Sequence, residues 1–208
     1  MKSLKLLFIT INLAICLQSV AGQVSVSSSI FNAQKMPFLP HVGSGAFDNY
    51  LSMNIPYHPA KKVFEQLVRM EKMPLKNRGE AHITVITPVE YWQVLKPQGV
   101  GIEEINDIAS KNMIQQAAFQ VSCVGRGSAE VSGKQEHTYY LVVTSEELLK
   151  IREQVQLLFQ QKGGDPKKFS PANFYPHITL GFSQRDLHES DGVIKDIKSC
   201  RHEIVITN

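Results

Sequence analysis

The sequence predicts an α+β fold of two lobes, each a strand–helix–strand unit, related by a pseudo-twofold axis. Three observations predict it. Runs of alternating apolar residues change places with runs at helical spacing along the 208 residues. The order strand, helix, strand occurs twice, so that Tyr50-Leu51 matches Tyr140-Leu141. A His-x-Thr tripeptide closes both units, at His82-Ile83-Thr84 and at His177-Ile178-Thr179.

The elements follow in order. Residues 1–22 read as a secretory signal peptide: Lys2 and Lys5 make a positive start, and Leu6 to Leu17 is apolar apart from Thr10 and Asn12. Gln18 to Gly22 then supplies the small residues of a cleavage site. The apolar run is shorter than the roughly 20 residues of a membrane span. Secretion is expected, with no stable membrane association after cleavage. Residues 23–45, rich in Ser, Pro and Gly, read as an extended arm or linker. The domain then covers residues 46–208, with lobes at about 46–130 and 131–208.

Tyr50 to Ile55 alternates as a strand that Pro56 ends. Val63, Phe64, Leu67 and Val68 mark one face of a helix from His58 to about Lys72, with Pro59 in its first turn. Ala81 to Ile86 is β-branched and reads as the second strand. Ile105 to Gln116 is a connecting helix, and Phe119 to Val124 closes the first half. Tyr139 to Val143 opens the second half. A capping box, Thr144-x-x-Glu147, starts a helix whose buried face is Leu148, Ile151, Val155 and Leu158 and which stops at Gly163. A loop from Gly164 to Asn173 leads to the strand Tyr175 to Leu180, and His202 to Thr207 closes the second half.

Composition narrows the chemistry. With 43% hydrophobic and 20% charged residues the chain can bury a core, and disorder is excluded. Without the leader it carries 20 basic and 19 acidic residues, so bulk charge does not favour coating nucleic acid or a membrane surface. A nucleotide would be held at a local site. Cys16 leaves with the leader. Cys123 and Cys200 remain, as a disulfide in an oxidising compartment or as two buried thiols. Two cysteines are too few for structural zinc, and no histidine pattern matches a hydrolytic zinc site, so no metal or other cofactor is expected.

Residues two apart on a strand share a face, so His82 joins Thr84 and His177 joins Thr179. Lobes packed about a pseudo-twofold axis would set these pairs across a cleft. One neutral imidazole could then accept a proton while the other, protonated, donates one, since histidine holds both forms near neutral pH. Threonine hydroxyls could bind non-bridging phosphate oxygens. Tyr175 and Gly181 are in phase with His177, the first to stack a base and the second to admit substrate close to the strand. Tyr50 and Tyr140 occupy equivalent places that either line the cleft or pack in the core.

His82-Ile83-Thr84 and Pro176-His177-Ile178-Thr179-Leu180-Gly181, each closing one half of a repeated unit, resemble the motifs of the two-histidine (2H) phosphoesterase superfamily over about residues 46–208. The resemblance implies antiparallel sheets around a central cleft, with His82 and His177 catalytic and Thr84 and Thr179 as phosphate ligands. It implies a metal-independent phosphodiesterase acting on a nucleotide or RNA end, foremost a 2′,3′-cyclic phosphate, with 2′,5′-phosphodiesterase as the alternative. The rival from another class is a catalytically silent secreted nucleotide-binding or interaction protein. A monomer is expected.

Overall fold

A computed structural model describes residues 22–208, so all but the last residue of the expected signal peptide lies outside the described residues. Strand β1 (Val24–Ser27) is followed by two short 3-10 turns, then by β2 (Leu51–Asn54), α1 (Tyr57–Glu71) and β3 (His82–Ile86). A short turn of helix, α2 (Pro88–Glu90), runs on through Tyr91–Leu95, and α3 (Ile102–Lys111) comes next. The second half holds β4 (Gln120–Val131), β5 (Lys134–Thr144), α4 (Glu146–Gln161), β6 (His177–Phe182), β7 (Cys200–His202) and β8 (Ile204–Thr207).

Six strands form one antiparallel sheet in the order β2-β3-β6-β5-β4-β7, and β1 pairs with β8 in a separate parallel pair. The alternation of β3 and β6 turns Ile83, Val85, Ile178 and Leu180 inward, where each is almost fully buried. Helix α1 packs on β6 and α4 on β3. They bury Ala60, Val63 and Leu67 from α1, and Leu148, Ile151, Val155 and Phe159 from α4, while Phe64, Val68 and Leu158 of the expected faces are only partly buried. Among the described residues no helix is long and apolar enough to cross a membrane.

Five expectations need correction. Residues 23–45 are not a free arm, because Val24, Val26 and Ile30 are fully buried in the main core. Ser25 and Ser27, alternating with the two valines, are the outward positions of a strand, so a loop-like composition hid a period-two pattern. The lobe boundary near residue 130 falls inside a hairpin. Ser132 and Gly133 both have positive φ, 52° and 73°, the geometry of a two-residue turn between paired strands. Strand β4 therefore pairs with β5 and β7 and does not close the first half. The helix expected at Ile105 to Gln116 starts and ends earlier, capped where the Gly101 amide donates to Glu104 at 2.8 Å, with a 3-10 turn at Ile114–Gln116 behind it. The start of α4 is capped by Ser145, whose hydroxyl accepts from the Leu148 amide at 3.2 Å. Thr144 is taken up by the strand ladder opposite Gln120, and Glu147 accepts from the Ala118 amide at 2.7 Å.

The closing strand expected at His202 to Thr207 is two elements, since β7 joins the large sheet and β8 pairs with β1. Cys123 on β4 and Cys200 on β7 form a disulfide with Cα atoms 5.7 Å apart. It fixes the end of the irregular run 183–199, which returns to the sheet at β7.

Candidate active site

Strands β3 and β6 meet at one register pair, Ile83 opposite Ile178. In an antiparallel pair this puts Thr179 across from His82 and His177 across from Thr84, all four on the face away from the core. The two imidazoles are then diagonal neighbours, a relation that separates Cβ atoms by somewhat less than about 7–8 Å. All four side chains border a cavity of about 670 Å³.

His177 is held on both sides of its ring. Nδ1 donates to the Tyr175 carbonyl at 2.7 Å, and Nε2 faces the Lys195 ammonium at 3.1 Å. Burial, and after it the positive charge of Lys195, pushes the imidazole down to about 3, so it is neutral at physiological pH. His82 lies beside Glu80, with Nδ1 3.6 Å from the carboxylate. Burial lowers its pKa too, while the Glu80 charge opposes that shift and favours the imidazolium. The pair is electrostatically unequal: an ammonium faces His177, and a carboxylate lies beside His82.

Asp186 sits at the centre of the polar network and is 6% exposed. It accepts from Thr138 at 2.7 Å, Lys195 at 2.9 Å, Thr179 at 3.0 Å and Arg78 at 3.1 Å. Lys195 holds it well below the usual carboxylate range, with the Thr138 hydrogen bond next, against the opposing effect of burial. One carboxylate thus fixes two cations at the site, Lys195 against His177 and Arg78 in the field of His82.

A second hub builds the opposite wall. Arg152, 1% exposed, donates to the carbonyls of Val85, Pro171, Ser170 and Asn173 at 2.7–3.0 Å, and to Glu90 at 2.8 Å. Glu90 also closes a capping box with Thr87 directly after β3. The loop before β6 is therefore tied to the end of β3, and it delivers Asn173, Phe174 and Tyr175 to the cavity rim.

Of the residues singled out as substrate-lining, Tyr50 and Tyr175 border the cavity. Tyr50 stacks on His41, with ring centroids 3.9 Å apart. Tyr140 does not line the cavity. It is fully buried beside Cys123 and Val142, and its ring backs His177 edge-on at 5.7 Å between centroids. Gly181 does not line it either. Tyr140 pairs with Thr179 but Tyr139 with Gly181, so Leu180 is an extra residue and reverses the alternation. A Cβ at Gly181 would stand 2.8 Å from the Phe64 ring of α1 and 3.0 Å from the Lys76 carbonyl oxygen, so glycine is required for packing.

The sequence reading missed Arg78, Asp186, Lys195 and the Arg152–Glu90 pair. Arg152 alone left a signal: it lies on the apolar face of α4 between Ile151 and Val155, where an unpaired cation would be costly. Asp186 and Lys195 stand in irregular chain, where no period marks them.

An α+β protein with two imidazoles and two hydroxyls facing one cavity from adjacent strands has the equipment of a general acid–base enzyme. A family model described as "Swiss Army Knife, 2H phosphoesterase domain" matches residues 49–188, which hold both His-x-Thr motifs, Arg78 and Asp186. The chain belongs to the 2H phosphoesterase family, and a phosphodiesterase-type activity goes with that membership. No curated protein and no solved structure matches the chain. Lys195 lies beyond the matched segment.

Proposed function

We propose that this protein is a secreted, metal-independent phosphodiesterase that opens a 2′,3′-cyclic phosphate on a nucleotide or RNA end. The observation that carries the reading is the Ile83–Ile178 register, which sets His82 and His177 diagonally over one cavity with a threonine opposite each. Water attacks phosphorus. Its oxygen forms the new P–O bond, and its proton goes to the neutral Nε2 of His177. The P–O bond to one ribose oxygen breaks, and that oxygen takes the proton of the His82 imidazolium. The product is a ribose phosphomonoester with a free neighbouring hydroxyl. Proton exchange with solvent resets both rings.

Thr84 donates to a non-bridging oxygen as charge builds. Thr179 first has to turn its hydroxyl from Asp186. Tyr50 and Tyr175, on the rim, stack the base. The two imidazoles that border the cavity are the groups at hand for proton transfer. Secretion is supported by the leader-like residues 1–22 and by the Cys123–Cys200 disulfide, a bond of oxidising compartments. Duplication is supported by the sheet order, in which β2-β3 and β6-β5 mirror each other about the central seam.

The test is a screen of the mature protein, in EDTA, against 2′,3′-cyclic mononucleotides and 2′,5′- and 3′,5′-linked dinucleotides, followed by phosphorus NMR. Ring opening to a monoester is expected. Cleavage of only the 2′,5′ dinucleotide would replace the substrate assignment. No turnover of any diester would favour a silent nucleotide-binding protein.

A further inference from the structure

Lys195 is 4% exposed, yet it borders the cavity. Its ammonium lies 2.9 Å from Asp186 Oδ1 and 3.1 Å from His177 Nε2. An ammonium has protons and no lone pair, so Nε2 must be the acceptor. The Tyr175 carbonyl on the far side of the ring can only accept, so Nδ1 carries the hydrogen. Both partners impose the same neutral tautomer. The contact also creates a conflict, because the lone pair that a base needs is already occupied.

An entering anion resolves it. A phosphodiester brings non-bridging oxygens that compete for the ammonium protons, whereas an uncharged nucleoside does not. Asp186 anchors the lysine throughout, so the ammonium can turn without losing its counter-charge. We propose that Lys195 is a catalytic residue that caps Nε2 of His177 in the ligand-free site and passes that hydrogen bond to a non-bridging phosphate oxygen on binding. The inference rests on the phosphodiesterase reading for its purpose. Lys195 keeps its charge and transfers no proton; the proton that Nε2 then accepts comes from the attacking water. The other charged and titratable groups facing the pair are Asp186, Arg78, His188 and Glu189, with the Tyr140 ring 5.3 Å from the ammonium.

The experiment follows the His177 side-chain nitrogens by ¹⁵N NMR in the disulfide-intact mature protein during titration with inorganic phosphate. In the wild type, phosphate should bind and move the Nε2 resonance, and a nucleoside should not. Lys195→Met should bind phosphate at least ~10-fold more weakly, lose the phosphate-induced Nε2 change, and show a His177 titration moved upward. Its turnover should fall by roughly 10²–10³-fold, as for loss of one oxyanion donor. Lys195→Met leaves Asp186 short of a partner, so Lys195→Met with Asp186→Asn is the balanced variant if the single one fails to fold. Equal phosphate affinity in wild type and variant, no phosphate binding to the wild type, or an unmoved Nε2 at saturation would each overturn the proposal. A wild type whose Nε2 responds to phosphate but which cleaves no diester supports the cap and defeats the hydrolase reading instead.

Discussion

The hydroxyl of Thr179 donates to Asp186 at 3.0 Å, so the two motif threonines are not equivalent. Thr84, across from His177, has no comparable carboxylate anchor among the described residues. Thr84→Val should lower kcat more than it raises KM and leave stability within about 0.5 kcal/mol. Thr179→Val removes one of four donors to a buried carboxylate and should also cost about 1–3 kcal/mol of stability. Urea melts and steady-state kinetics on both variants check this. Equal behaviour of the two would remove the distinction.

His82→Asn and His177→Asn should each reduce turnover by about 10²–10⁴-fold, the usual worth of a positioned acid or base. The double variant should be far less than multiplicatively worse, because the rings act as a unit. Single-turnover assays on the screened diester decide it. Wild-type turnover in either single variant would remove that ring from the chemistry.

Acid should weaken the fold through His177. Its folded pKa is depressed to about 3, below the ordinary value of 6.5, so the unfolded chain binds the extra proton between those limits. Stability is therefore complete above about pH 6.5 and declines as pH falls toward 3, by at most about 1.4 kcal/mol per pH unit from this group. Asp186, depressed as a carboxylate, adds its own loss only at lower pH, below its ordinary value of 3.8. Melting temperatures of wild type and His177→Asn between pH 7 and pH 4 should diverge, with the variant flatter. Parallel curves would assign the slope to other groups.

Arg152→Met should destabilise the protein by about 3–5 kcal/mol, since it strands Glu90 and several carbonyls that the guanidinium serves. Arg152→Lys cannot reproduce the planar fork and should recover only part of the loss. Chemical denaturation measures both. Full recovery by lysine would reduce the hub to simple charge pairing.

Much of this was legible in the sequence, and the reason is periodicity. The alternation in His82 to Ile86 and the apolar spacing of α1 and α4 reflect burial on one face, and burial is what patterning records. The His-x-Thr faces followed from the same alternation. What escaped was set by tertiary partners. Leu180 breaks the strand phase, so Gly181 faces Phe64 and not the cavity. Tyr140 has the right phase, but His177 lies over it. Asp186 and Lys195 come from chain with no period, and only the folded sheet brings them to His177.

The seam between β3 and β6 also has a combinatorial consequence. A chain severed between the Ile114–Gln116 turn and β4 would leave His82 and Thr84 on one fragment. His177, Thr179, Asp186, Lys195 and both disulfide cysteines would remain on the other. Neither fragment alone owns a complete proton relay. Strand pairing joins them at the β3–β6 contact, the Lys76–Phe182 bridge and the parallel β1–β8 pair. Hydrolysis by such a split protein would report reunion of the pieces, which makes this fold a natural scaffold for a complementation reporter.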